Sequence, residues 1–119
     1  MLLDQPRLLL RAEGLAILAG AAVLYAEGDY SWLLFAILFL APDLSFAAWA
    51  AGPRVGAVGY NLFHNLVLPI GLATYGVLDN SRSATAVGLI WLAHIGIDRT
   101  LGYGLKYPTT FKDTHLQRV

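Results

Sequence analysis

The stretch Val55-Gly-Ala-Val-Gly-Tyr60-Asn-Leu-Phe-His64-Asn-Leu-Val-Leu-Pro69-Ile-Gly-Leu-Ala-Thr-Tyr75-Gly-Val-Leu78 runs without a single Asp, Glu, Lys or Arg. A helix crossing hydrocarbon needs roughly 20 mostly apolar residues, and this stretch supplies them. Outward from it, three more windows meet the same requirement: Leu8–Tyr25, Ser31–Ala51 and Ala84–Tyr103. Turn residues separate the four: Glu27-Gly28-Asp29, Gly52-Pro53-Arg54 and Asp79-Asn80-Ser81. Links this short make neighbouring helices antiparallel. The expected fold is therefore all-α, a single-domain (1–119) integral membrane bundle of four transmembrane helices with an interfacial tail at 104–119.

Composition supports this. Hydrophobic residues make up 57% of the 119-residue chain and charged residues 13%, against roughly 45–50% and about 25% in soluble domains. A small domain cannot bury so much apolar surface in one core, so the surplus is expected to face lipid or other subunits. Four helices enclose little space, which makes a homo-oligomer the expected state. The formal net charge of zero points to no nucleic-acid partner. The absence of cysteine removes disulfides, thiolate metal sites and cysteine nucleophiles. Arg7 and Arg11 before an apolar run suggest a signal peptide. However, Asp4 and Glu13 interrupt the basic stretch and Tyr25-Ala-Glu27 fits no cleavage site, so the segment is read as a retained first helix.

Four spans put both termini and the second loop on one side. That side holds Arg7, Arg11, Arg54, Lys106, Lys112 and Arg118, and the other only Arg82. The positive-inside rule places both termini in the cytoplasm of a multi-pass cell-membrane protein. Tyr30, Trp32 and Tyr75 suit one aromatic belt, and Trp49, Tyr103 and Tyr107 the other.

Ionisable residues inside spans are costly and tend to carry function. Here they are Glu13, Asp43, His64, His94 and Asp98, with Asn61 and Asn65 beside them. At about 1.5 Å per helical residue, Glu13 and Asp98 lie about 7–8 Å from the cytoplasmic end of their helices. Asn61 lies about 9 Å deep, Asp43 about 12 Å, and His64 and His94 about 13–14 Å. All fall in one slab in the cytoplasmic half of the bilayer. His94 and Asp98 share a helix face at spacing four, as do Asn61, His64 and Asn65 at three and four. Pro42 and Pro69 are expected to loosen their helices beside Asp43 and Asn65.

Two histidines and two aspartates at one depth make an N/O ligand set for zinc or another divalent metal, so Asp43, His64, His94 and Asp98 are the candidate ligands. Such a metal lowers the pKa of bound water to about 7, and Ser45 is placed to orient a carbonyl. The catalytic candidates are thus Asp43, Ser45, His64, His94 and Asp98, supported by Glu13, Asn61, Asn65, Arg99 and Lys106. The same residues also admit a buried hydrogen-bonded network, a proton or ion pathway in a small transporter, a non-catalytic scaffold, or a haem between His64 and His94.

The stretches Arg11-Ala-Glu-Gly-Leu15, Ala41-Pro-Asp-Leu-Ser45, Gly52-Pro-Arg-Val-Gly56, Tyr60-Asn-Leu-Phe-His64 and Trp91-Leu-Ala-His-Ile-Gly-Ile-Asp-Arg99, through to Gly102-Tyr-Gly-Leu-Lys-Tyr-Pro108, carry a resemblance. Together they resemble a family of small bacterial membrane proteins catalogued as domain of unknown function 4260. The resemblance implies a compact four-helix membrane protein and no assigned activity. The residues themselves favour a polar, metal-binding site of hydrolase class that acts on or binds a lipid-like molecule.

The basic asymmetry generates a topology prediction. Reporter fusions at Asn80 and at the C-terminus are expected to mark opposite sides, with the C-terminus cytoplasmic. A cytoplasmic Asn80 would overturn both the orientation and the shared depth of the polar residues.

Overall fold

The computed structural model describes residues 6–102, apart from the side chains of 45–49. Every regular element among the described residues is helical: α1 (Pro6–Glu27), α2 (Trp32–Leu38), a 3₁₀ segment (Ala41–Ala51), α3 (Pro53–His64), α4 (Val67–Leu78) and α5 (Arg82–Leu101). The expected tail at 104–119, with Lys106, lies outside the described residues.

Two of the four expected helices are discontinuous, and prolines set where they break. A helical proline leaves the carbonyl four residues earlier without its N–H and presses its ring against it. Pro42 acts this way on Leu38, where α2 ends. Pro69 acts on Asn65, which is extended (φ −86°, ψ 162°) and separates α3 from α4. The expected single helix over 31–51 is therefore α2 followed by a 3₁₀ segment, and that over 55–78 is α3 followed by α4. Pro69 falls in the first turn of α4, where its missing N–H has no helical partner to lose.

The turns are built as the residues dictate. Ser31 and Ser81 cap α2 and α5, their hydroxyls accepting the N–H of Leu34 (3.2 Å) and of Ala84 (3.3 Å). Asp29 and Asn80 take the left-handed conformation at φ 54°, which short polar side chains tolerate. Arg82 joins these two turns at one end of the molecule. It donates to the Gly28 carbonyl (2.8 Å) and lies over the Tyr30 ring, 4.5 Å from its centre. At the opposite end, Arg11 Nε donates to the Thr100 carbonyl (2.8 Å), so α1 and α5 run antiparallel.

α5 is the axis of the fold, with α1 on one side and α4 on another. A Cβ on Gly96 would sit 2.7 Å from the Leu18 nitrogen, and one on Gly14 only 2.4 Å from Arg99 Cβ, so α1 and α5 touch backbone to backbone. Gly88 meets Ala73 of α4 in the same manner. The core is Ala21, Tyr25, Ala86, Leu89, Ile90 and Ala93. The outer helices turn large apolar side chains outward, Leu33, Val67 and Leu78 among them. Two segments, Pro6–Glu27 and Pro53–Leu78, are long and apolar enough to cross a membrane. The surface of α5 is largely covered by its neighbours, which is why it can carry His94 and Asp98.

The break at Asn65 exposes the last four carbonyls of α3, and side chains take up every one. Asn65 Nδ2 donates to the carbonyls of Asn61 (2.9 Å) and Leu62 (2.7 Å), Trp91 Nε1 to that of Phe63 (2.5 Å), and Arg99 to that of His64 (3.3 Å). Asn65 Oδ1 also accepts the Leu68 N–H (3.1 Å), so one side chain closes α3 and opens α4. Asn65→Leu is expected to destabilise the protein by about 1–3 kcal/mol for each carbonyl it orphans. The exposed Val58→Ala should cost far less. Thermal unfolding in detergent checks this, and equal stabilities for the two variants would remove Asn65 from its hinge role.

Candidate metal centre

The breaks and the axial helix bring four polar side chains to one point. Asp43 comes from the 3₁₀ segment just after Pro42, His64 is the last residue of α3, and His94 and Asp98 stand one turn apart on α5. Asp43 Oδ1 lies 3.2 Å from His64 Nε2 and 3.1 Å from His94 Nε2. Asp98 Oδ2 lies 3.3 Å from His94 Nε2 and 3.6 Å from His64 Nε2. The two Nε2 atoms are 3.2 Å apart, and all four ligand atoms lie within 4.8 Å of one another. A haem between the histidines is ruled out, because 3.2 Å leaves no room for a macrocycle.

Each imidazole is held from behind. His64 Nδ1 lies 2.8 Å from the Tyr60 carbonyl, which can only accept, so Nδ1 carries the proton. In the neutral ring the Nε2 lone pair then faces the cluster. The Tyr60 ring stacks on His64 at 3.7 Å and 4°, fixing its plane. The Phe39 ring meets His94 edge-on at 5.3 Å. His94 Nδ1 is buried, and the Phe39 backbone stands beside it without a hydrogen bond of good geometry. The histidine side chains are 3% and 2% exposed against 33% for Asp43 and 22% for Asp98, so the carboxylates form the open edge.

This donor set is short of protons. Two carboxylates and the His64 lone pair converge, and His94 can offer at most one N–H among them. If it does, its own buried Nδ1 becomes an orphan acceptor. A cation satisfies all four at once. Four tetrahedral ligands about 2.0–2.1 Å from a metal are separated by about 3.3 Å. The five separations that involve a histidine run from 3.1 to 3.6 Å around that value, and the two carboxylate oxygens lie within 4.8 Å of each other. The group formed by Asp43, His64, His94 and Asp98 can hold a metal ion.

The remaining sequence candidates are placed differently. Glu13 is exposed on α1 and is not one of the clustered groups. Asn61 is half-buried one turn before His64, and Asn65 and Arg99 serve the carbonyls of α3 rather than the cluster itself. The Ser45 side chain and Lys106 lie outside the described parts. Sequence reasoning passed over Tyr60, Phe39 and Trp91. Tyr60 was findable, since it stands four residues before His64, where a helical carbonyl is within reach of the ring. Phe39 and Trp91 act across elements and left no local signal.

Among the described residues these features define a helical protein with two segments long and apolar enough to cross a membrane and a histidine–aspartate group able to hold a metal. Residues 7–119 match the family described as a domain of unknown function (DUF4260), and the chain belongs to that family. No curated protein and no solved structure matches it.

The crowding of acceptors makes a prediction about the metal-free protein. Asp43→Asn removes one negative charge and supplies N–H donors to the cluster. In excess chelator this variant is expected to unfold at a higher temperature than the parent. A lower unfolding temperature would mean that protons, not repulsion, balance the four groups.

Proposed function

We propose that the chain is an integral membrane protein of four spans with both termini cytoplasmic. In the cytoplasmic half of the bilayer it binds one divalent cation, zinc foremost, through Asp43, His64, His94 and Asp98, and there it binds or hydrolyses a lipid-like molecule. The observation that carries the metal reading is the meeting of four ligand atoms within 4.8 Å of one another, with the His64 lone pair aimed inward. Charge supports it as well. Two carboxylates, two neutral imidazoles and one divalent cation sum to zero, the least costly state in a low-dielectric interior.

A bound divalent cation would supply a Lewis acid and lower the pKa of an attached water to about 7. The chain's own residues do the rest. Tyr60 holds the His64 tautomer, and Phe39 and Tyr60 keep water from the imidazole faces. The partly exposed Asp43 and Asp98 form the side from which a substrate carbonyl or a water can enter. In this reading Ser45 orients that carbonyl.

Metal analysis of the purified protein is the test. Wild type is expected to carry about one equivalent of divalent metal, and His64→Ala and His94→Ala to lose it while remaining folded and extractable. Metal-free wild type whose thermal stability is unchanged by chelator would refute the metal reading and leave a hydrogen-bonded network. A second reading, an ion-coupled transporter, is favoured by one observation: Asp43 and His64 both sit at helix discontinuities, as ion sites in transporters do. Zinc uptake into proteoliposomes that is lost with His94→Ala would favour transport over hydrolysis.

A further inference from the structure

A half-open hydrophobic cavity of about 180 Å³ is lined by Leu38, Ala41, Pro42, Phe63, Val87, Ile90 and Trp91, three of which neighbour cluster residues along the chain. Its walls are the same elements that carry the ligands. Pro42 directly precedes Asp43 and Phe63 directly precedes His64. Ile90 stands four residues before His94, as His94 stands four before Asp98. One face of α5 is thus apolar at Ile90 and polar at His94 and Asp98, with about one helical turn between steps.

We infer that this cavity holds the first methylenes of a single acyl chain, with the acyl carbonyl or carboxylate end at Asp43 and His94. The inference rests on the reading of the cluster as a lipid-facing metal site and names the class of molecule it takes. Size argues for one chain. A dry apolar cavity of about 150 Å³ accepts benzene, so 180 Å³ takes about six carbons rather than a drug-sized ligand. Lining argues for hydrocarbon, since every side chain around the cavity is apolar apart from the Trp91 indole nitrogen, and that nitrogen is engaged by the Phe63 carbonyl. Polarity argues for direction. The ligand atoms lie at one end of the α5 stripe, so an amphiphile seats its oxygen-bearing end there and its chain toward Ile90. In the proposed topology Ile90 lies about 6 Å deeper in the hydrocarbon than His94, one helical turn farther from the cytoplasmic face.

Trp91 in the cavity wall provides the readout. In a Trp32→Phe, Trp49→Phe background, the intact chain in detergent is titrated with a fatty acid brominated near its sixth carbon. Saturable quenching of Trp91 is expected, together with competition by the unbrominated fatty acid or by a monoacyl glycerophospholipid. Competition by the fatty acid alone would assign the site to free carboxylates, and competition by both to acyl groups in general. Filling the cavity with Ala41→Phe, or independently with Val87→Phe, should weaken the apparent affinity roughly tenfold or more with metal content unchanged. Quenching that rises in proportion to bromine in the micelle and ignores both filling variants would overturn the inference. The two readings fail separately. Loss of metal with saturable quenching retained sinks the metal centre and keeps the acyl site, whereas full metal with unsaturable quenching sinks the acyl site alone.

Discussion

A backbone carbonyl buried away from water must find a donor, and in this chain two prolines withhold the ordinary ones. Pro42 stops α2 at Leu38, four positions earlier, and Pro69 breaks the helix at Asn65, so that α3 ends at His64. The structure around them is organised by the repair. At the α3 break, Asn65, Trp91 and Arg99 between them supply donors to four consecutive carbonyls. Two of those donors come from α5, so the repair also fixes how α3 docks on the axial helix. That docking sets where His64 stands relative to His94.

The cluster inherits its geometry from this arrangement. A continuous helix through residue 64 would carry the chain past the site with the His64 carbonyl tied up by the helix. Ending α3 there leaves the imidazole at a helix terminus, with its Nδ1 anchored one turn back on Tyr60 and its Nε2 toward α5. The break after Leu38 does the corresponding work for Asp43, whose carboxylate reaches both histidines. Stacking, an edge-on ring and a backbone carbonyl then hold the histidines, while the acids keep partial access to the outside. Held imidazoles beside partly exposed carboxylates leave the four groups able to hold a metal ion.

Close packing around α5 makes this possible. Gly14, Gly96 and Gly88 let α1 and α4 approach to backbone contact, so a helix bearing a histidine, an aspartate and an arginine is sheathed by apolar neighbours. Larger residues at those positions would push α1 outward and open the polar face of α5 to its surroundings.

The helical class of the fold and the four residues of the cluster were legible in the amino-acid order. Apolar runs and turn residues are local properties, and they marked out α1, α5 and the limits of the other segments. The i, i+4 spacing of His94 and Asp98 likewise followed from helical geometry alone. The amino-acid order also foretold that Pro42 and Pro69 would disturb their helices, since a proline acts on its own chain four residues away. Only the tertiary structure decided that the breaks were complete, that Asn65 and Arg99 serve backbone carbonyls rather than the cluster, that Glu13 stands apart, and that Phe39 and Trp91 complete the surroundings. Each of those outcomes depends on which atoms of a different helix come within hydrogen-bonding or van der Waals range. Helix rotation and crossing set those distances, and side-chain packing across the interface fixes both.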